Sequence, residues 1–260
     1  MIRALWVASL VGGMCAFLSA YLMLKGWSLI GDALAHSVVP GVAGAYMLGL
    51  PLAAGAFLSG GLATLAMLFI RQRTGLRIDA VIGLIFTSFF ALGLFLVSLD
   101  PASVNVQSII LGNVLTITPY DAVQLIIISV LVLGFLLLRW RDLMVTFFDE
   151  NHARTVGLHT MRLQVIFFIL LSAATVAALQ TVGAFLVIAL VITPGATAYL
   201  FTDRFGILLM LSMIFGVVTC FMGTYISYFL DGMTGGVIVL LQSVLFLLAF
   251  CFAPRRGHCA

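Results

Sequence analysis

Charge is scarce in this chain of 260 residues. It has 12 Lys and Arg and 9 Asp and Glu, together 8% of the sequence. Ordinary globular domains are about a quarter charged, so a water-facing surface of usual composition cannot be assembled from it. Reactive motifs are scarce too. The four cysteines, Cys15, Cys220, Cys251 and Cys259, show no CxxC or CxxH spacing. That excludes a zinc ribbon or a disulfide framework, and the first three lie in apolar runs and read as small hydrophobes. No GxxxxGK[ST] occurs, so the chain brings no P-loop nucleotide site of its own. There is no HExxH, and His36 is followed by "SVVP", which lacks the ligand set of an intramembrane metalloprotease. The net charge of +3 is spread along the chain rather than gathered in a patch, and no nucleic-acid partner is expected.

What the chain has in abundance is apolar length. It is 63% hydrophobic, and a membrane-crossing helix needs about 20 such residues in a row. That ruler places spans near 4–24, 28–48, 52–70, 80–99, 119–138, 163–179, 182–201, 206–229 and 235–253. The fold class is therefore all-α: a polytopic bundle of about eight to nine transmembrane helices, in one domain over 1–260. Eight is the count if one of the closely spaced pair 163–179 and 182–201 is re-entrant or interfacial. The run after Met1 reaches Leu24, longer than a signal-peptide core and without a small-x-small cleavage site. It reads as a first span.

The loops give an orientation. In the nine-span arrangement Lys25, Arg71, Arg73, Arg77, Arg139, Arg141, Arg154, Arg162, Arg204, Arg255 and Arg256 share one side, and Arg3 alone lies on the other with Asp100, Asp121 and Asp231. The positive-inside rule then puts the C-terminus in the cytoplasm and the N-terminus outside.

The same placement isolates "GDALAHSVVPG", residues 31–41. Asp32 is the one acid left deep in a span and His36 the one histidine; His152, His159 and His258 fall in a loop and the tail. Gln180, Thr193 and Gln242 are weaker intramembrane polar groups, and Asn113 sits in an outer segment. Residues four apart share a helix face, so Asp32 and His36 point to one place. At a rise of about 1.5 Å per residue, Asp32 lies roughly 6 Å and His36 roughly 12 Å beyond Ser28. An unpaired Asp at such depth costs about 2.5–3.5 kcal/mol. It needs a partner or a wet cavity. A carboxylate and an imidazole form half a site for a divalent first-row metal. Two copies meeting on a two-fold axis would double it. The plainer reading is an ion pair kept for packing.

Two Pro-Gly breaks, "VVPGVAG" and "ITPGATA", interrupt spans two and seven, as occurs where helices pack closely or line a cavity. A third feature is the polar loop 147–164, "FFDENHARTVGLHTMRLQ". Its spacing predicts a short helix from about Glu150 to Val156, with Asp149 as N-cap and Gly157 as stop. By shape it is either a docking element or an ordinary connector.

Together these stretches resemble the permease subunits of the metal-ion ABC importers, the ABC-3 type that carries manganese, zinc or iron. "GWSLIGDALAHSVVPGVAGAYMLGLP" is similar to the family's second-span signature, "DENHARTVGL" to its coupling helix, and "ALQTVGAFLVIALVITPGATAYL" to its late signature with Thr193, Pro194 and Gly195. The likeness spans nearly the whole chain and is greatest to the manganese/iron branch of enteric bacteria. Relatives usually carry a short segment ahead of the first span, whereas here Met1 falls almost at it, and the expectation is a longer native start.

The resemblance implies a type II ABC importer permease in the bacterial inner membrane, working as a dimer with a second copy or a paralogue. It also implies a cytoplasmic ABC ATPase dimer, a periplasmic metal-binding protein and the lipid bilayer as partners. The chain would be no enzyme and would hold no permanent cofactor. Mn²⁺, Fe²⁺ or Zn²⁺ would be its cargo, with Asp32 and His36 as metal ligands in transit. ATPase coupling would fall to residues 149–158, with Asp149, Glu150, Ala153, Arg154 and Gly157 as contact positions. The alternative is an ion-coupled metal carrier acting without an ATPase, which would usually show several intramembrane acids rather than Asp32 alone. An assembly subunit whose partner holds the site is a third possibility.

Overall fold

The computed structural model describes residues 2–27, 29–99, 119–230 and 232–252. Asp100, Asn113, Asp231, Arg255, Arg256, His258 and Cys259 lie outside them, as do the side chains of Arg3 and Asp121. The described residues form twelve helices and no strand. In chain order they are α1 (Ile2–Lys25), α2 (Ile30–Ser37), α3 (Val39–Met47), α4 (Leu52–Arg73), α5 (Ile78–Leu99) and α6 (Pro119–Leu138). The remaining six are α7 (Trp140–Phe148), α8 (Glu150–Thr155), α9 (Thr160–Val182), α10 (Ala184–Phe201), α11 (Phe205–Leu230) and α12 (Thr234–Phe252).

Seven of these, α1, α4, α5, α9, α10, α11 and α12, are long and apolar enough to cross a membrane. An eighth crossing is available if the bent pair Ala122–Leu138 and Trp140–Phe148, folded by 70°, is one span. The all-α polytopic expectation holds. Where the count falls below nine differs from the sequence reading. The pair suspected of hiding a re-entrant segment is two full helices, α9 and α10, separated at Gly183. The shortfall lies in the second segment, which is split into α2 and α3, neither of crossing length.

Helix α1 is the axis of the bundle. In its spanning window 78% of residues are buried, against 22% for α5 and for α12. It packs along α10 and α11, and the Ser212 hydroxyl of α11 donates to the Ala16 carbonyl at 2.7 Å. Around it α5 and α12 turn large side chains outward, among them Leu92, Phe95, Leu240 and Phe250. Such faces suit acyl chains, which attract Leu and Phe no less than a protein interior does.

An aromatic cluster closes the end of the bundle where the basic residues gather. Tyr21 of α1 packs against Phe147, Phe167 and Phe205, with ring centroids 6.0, 5.8 and 4.9 Å away. Its hydroxyl donates to the Trp140 carbonyl at 3.2 Å. Trp27, just ahead of α2, stacks on Phe168 at 5.3 Å and meets Phe147 edge-on at 5.5 Å. Helix α7 is thereby fastened to α1 and α9, and the start of α2 to α7. Offset and edge-on aromatic pairs each add about 0.5–1.5 kcal/mol beyond the area they bury.

Candidate functional site

Pro40 has no N–H to offer the carbonyl four residues back, that of His36. The helix opens there. The His36 carbonyl accepts instead from the Val38 N–H, and Pro40 takes an early position in α3. At Val38 the dihedrals stay helical (φ −73°, ψ −27°). The break therefore shows as a change in hydrogen bonding at a residue of helical conformation.

Helix α4 fills the opening. Gly41 and Gly55 pass so closely that a Cβ on either would overlap the other's carbonyl oxygen, the small-residue contact that lets two membrane helices approach. One turn on, the Ser59 hydroxyl donates to the Ser37 carbonyl at 2.6 Å. The Ser37 hydroxyl in turn donates to the Ala33 carbonyl at 2.5 Å.

On the other face of α2, Asp32 and His36 come together as their spacing requires. Asp32 Oδ1 lies 3.4 Å from His36 Nε2. Both side chains keep part of their surface open, 41% for Asp32 and 29% for His36. Two residues not singled out in the sequence complete the pair's surroundings. Phe86 and Phe90 of α5 each lie 5.3 Å from the imidazole, at 73° and 78° to its plane, and are stacked on one another at 5.9 Å. They fix the ring plane of His36 and line the site with apolar surface. Their i, i+4 spacing was visible, but in a span this apolar it is indistinguishable from a lipid-facing pair.

Among the described residues no group of three or more His, Cys, Asp and Glu could hold a metal ion. An Asp and a His are two donors, and a metal shell of four to six would need others.

The second Pro-Gly break behaves differently. Pro194 lies inside α10, which continues through it from Ala184 to Phe201. The hydroxyl of Ser19, from α1, donates to the Ile192 carbonyl at 3.2 Å and accepts from the Gly195 N–H at 3.0 Å. Thr193 beside it carries no ionisable group, and Gln180 and Gln242 lie elsewhere, on α9 and α12. The Gln242 amide donates to Thr219 at 3.2 Å within the bundle.

The loop after α7 folds as its sequence predicts. The Asp149 carboxylate accepts from the N–H groups of Asn151 and His152 at 2.9 and 3.0 Å, capping α8. Gly157, at φ +85°, ends it, and the Leu158 N–H closes back on the Ala153 carbonyl at 3.0 Å, as in a Schellman stop. Ala153 is fully buried and anchors α8 to the bundle. Glu150 and Arg154 pair at 2.8 Å across one turn, and Asn151, His152 and Thr155 are exposed.

The sequence matches the ABC 3 transport family over residues 1–253. It is 62% identical over 257 residues to the chelated iron transport system membrane protein YfeC of Yersinia pestis, covering 99% of this chain and 87% of that one. To the manganese transport system membrane protein MntB of Synechocystis sp. it is 48% identical over 260 residues, covering 99% and 84%. Among solved structures, a chain of PsaBC from Streptococcus pneumoniae in complex with Fab superposes with a TM-score of 0.86 at 32% identity, covering 98% of this chain and 92% of that one.

Proposed function

This chain belongs to the ABC 3 transport family, and from that premise we propose that it is the permease subunit of an ATP-driven importer of a divalent transition metal, Mn²⁺ or Fe²⁺, with Zn²⁺ admitted by the same donors. The observation that carries the reading is the half-open Asp32–His36 pair, 3.4 Å apart on one face of an interrupted span. A carboxylate oxygen and an imidazole nitrogen suit all three ions, and two ligands per chain permit release as well as capture. A second permease, the same chain or a paralogue, supplies the remaining protein donors. An external metal-binding protein delivers the ion, and an ATPase dimer on the cytoplasmic side drives the cycle.

The coupling surface is residues 149–158, presented by a capped and Gly-terminated turn. Phe147, just ahead of it, packs on Trp27, and Trp27 stands five residues before Asp32. A push on α8 by a closing ATPase thus has a short packed route to the metal-bearing helix, through α7 and the aromatic cluster. The motion is a rigid-body alternation of access around a fixed site. The basic residues gathered at this end support a cytoplasmic position for it, and for the C-terminus, in a bacterial inner membrane.

The test compares uptake of radiolabelled manganese and iron by cells carrying the complete transporter, wild type against Asp32→Asn, at matched membrane levels. Collapse of uptake supports the site, and the wild-type ratio of the two metals ranks the cargo. Undiminished uptake removes Asp32 from the ion's path. The coupling half is tested with Gly157→Val, which forces a side chain into a left-handed conformation costing about 1–2 kcal/mol. Metal-stimulated ATP hydrolysis is expected to fall while metal binding by the purified complex is kept.

A further inference from the structure

Only residues 26–29 separate α1 from α2, and Trp27 is tied to both helices. Its N–H donates to the Leu22 carbonyl in the last turn of α1 at 2.8 Å, and its carbonyl accepts from Ile30 N–H, at the first residue of α2, at 3.1 Å. The side chain is buried, with 2% of the residue exposed. Besides Phe147 and Phe168, two cations reach the indole. The guanidinium of Arg71, in the last turn of α4, lies 4.7 Å from the ring centroid, and the Lys25 ammonium lies 5.9 Å from it. Cations at such distances are attracted by the quadrupole of the ring. Neither Lys25 nor Arg71 forms an ion pair among the described residues. Two like charges on one ring repel each other, so the arrangement depends on negative charge nearby. The acids that act on Lys25 against the opposing charge of Arg71 are Glu150 and Asp149, at the start of α8.

Arg71 stands between these acids and Trp27. On one side it shares the wall of a cavity of about 470 Å³ with Glu150 and Arg154. Across that space Glu150 pairs with Arg154 and not with Arg71. On the other side Arg71 lines an apolar crevice with Trp27, Ile30 and Phe168. This connection from α8 to α2 is separate from the packed route through α7, since it runs by charge across an open space and arrives from α4. We propose that Arg71 and Lys25 are positioning residues for metal transport, clamping the Trp27 indole with a firmness set by the acids of α8. The proposal rests on the reading of α8 as the ATPase-coupling surface. The cavity lets α8 approach α4 without displacing packed side chains. As Glu150 closes on Arg71, its carboxylate draws the guanidinium off the indole; as it withdraws, the guanidinium returns. Trp27, and Ile30 bonded to it, are held in one state and released in the other, and Asp32 lies two residues beyond Ile30.

The experiment reconstitutes the complete transporter in liposomes, with its ATPase and external metal-binding protein, and measures Mn²⁺ transported per ATP hydrolysed. Arg71→Gln is expected to lower that ratio by about fivefold or more, the loss of a desolvated cation–π contact, while Mn²⁺ binding by the purified complex is kept. Arg71→Lys, which retains a cation for the ring, is expected to stay within about twofold of wild type. Trp27→Phe reads the same contact from the ring side and should give an intermediate ratio. Glu150→Gln added to Arg71→Gln should bring no further loss, because both act through Trp27. A lowered thermal midpoint with an unchanged ratio in Arg71→Gln would overturn the proposal, leaving Arg71 a structural role at the end of α4. So would equal losses in Arg71→Lys and Arg71→Gln, or a wild-type ratio in Trp27→Phe. Losses that multiply in the Glu150→Gln, Arg71→Gln double variant would also overturn it, giving Glu150 to the ATPase alone. Failure of the transport reading is a different result: a wild-type complex whose ATP hydrolysis does not respond to metal, which overturns both.

Discussion

The two Pro-Gly breaks place the same dipeptide in two apolar spans, and the structure resolves them in opposite ways. At Pro194 and Gly195 the helix runs on. Ser19, fully buried on the central α1, bridges the Ile192 carbonyl and the Gly195 N–H. At Pro40 and Gly41 the helix divides, and the carbonyl left over is that of Ser37, taken by Ser59 from α4. Proline frees backbone groups in both places; the neighbour's side chain decides what becomes of them. Where the neighbour is the enclosed axis of the bundle, the break is stapled. Where it is α4, with 39% of its spanning window buried, the break is left open next to the two ionisable groups.

The widest separation between the breaks is expected in transport. His36→Ala should bring metal uptake to background, since one of two ligands per chain is lost, while thermal stability changes little because the side chain is already partly exposed. Thr193→Val, beside the stapled break, should keep most of the uptake. If both variants transport alike, the open break is not the ion's path.

Restoring the missing N–H comes next. Pro40→Ala returns a donor to the His36 carbonyl and favours one continuous helix over 30–47. Uptake should fall severalfold, less than for the ligand variant, because His36 is retained but its ring is re-aimed against Phe86 and Phe90. Pro194→Ala should leave uptake near wild type, since that helix is already continuous. Paired uptake assays at matched expression separate the two outcomes.

On stability the order reverses. Ser19→Ala strands a buried carbonyl and weakens the hold on the Gly195 N–H, and should cost about 1–3 kcal/mol. A lowered thermal midpoint with unchanged metal binding is the expected result. An unchanged midpoint would mean that α10 satisfies both groups within its own backbone.

These contrasts also mark what the sequence could reveal. Asp32, His36 and the α8 turn were legible because each rests on local chemistry: an i, i+4 spacing, an Asx cap, a glycine at positive φ. The all-helical bundle was legible from apolar length alone. The site of the span shortfall was not. The close spacing of 163–179 and 182–201 suggested a re-entrant segment there, but with Gly183 at φ +86° a single residue is enough to separate a pair of full helices. The division at Val38 depends on α4 arriving with Gly55 and Ser59, a contact between positions far apart in the chain. Phe86, Phe90 and Ser19 escaped for the same reason. Each is an unremarkable residue of its own helix and gains a role only from the helix it meets.

The smallest effect expected is the most informative about the open break. Ser59→Ala removes the hydroxyl that holds the Ser37 carbonyl, and a single neutral hydrogen bond contributes about 0.5–1.5 kcal/mol. The loss in thermal stability should therefore be less than that of Ser19→Ala. The Ser37 carbonyl, however, is the natural acceptor for the Gly41 N–H in a continuous helix. Freed from Ser59, it can bond along its own chain, and the break is expected to close partially. Uptake should then fall by more than the stability change accounts for, and Ser59→Thr, which keeps the hydroxyl, should restore it. If Ser59→Ala lowers stability and leaves uptake intact, the Ser59 contact fastens α4 to the bundle, and the open form of α2 and α3 is maintained by Pro40 alone.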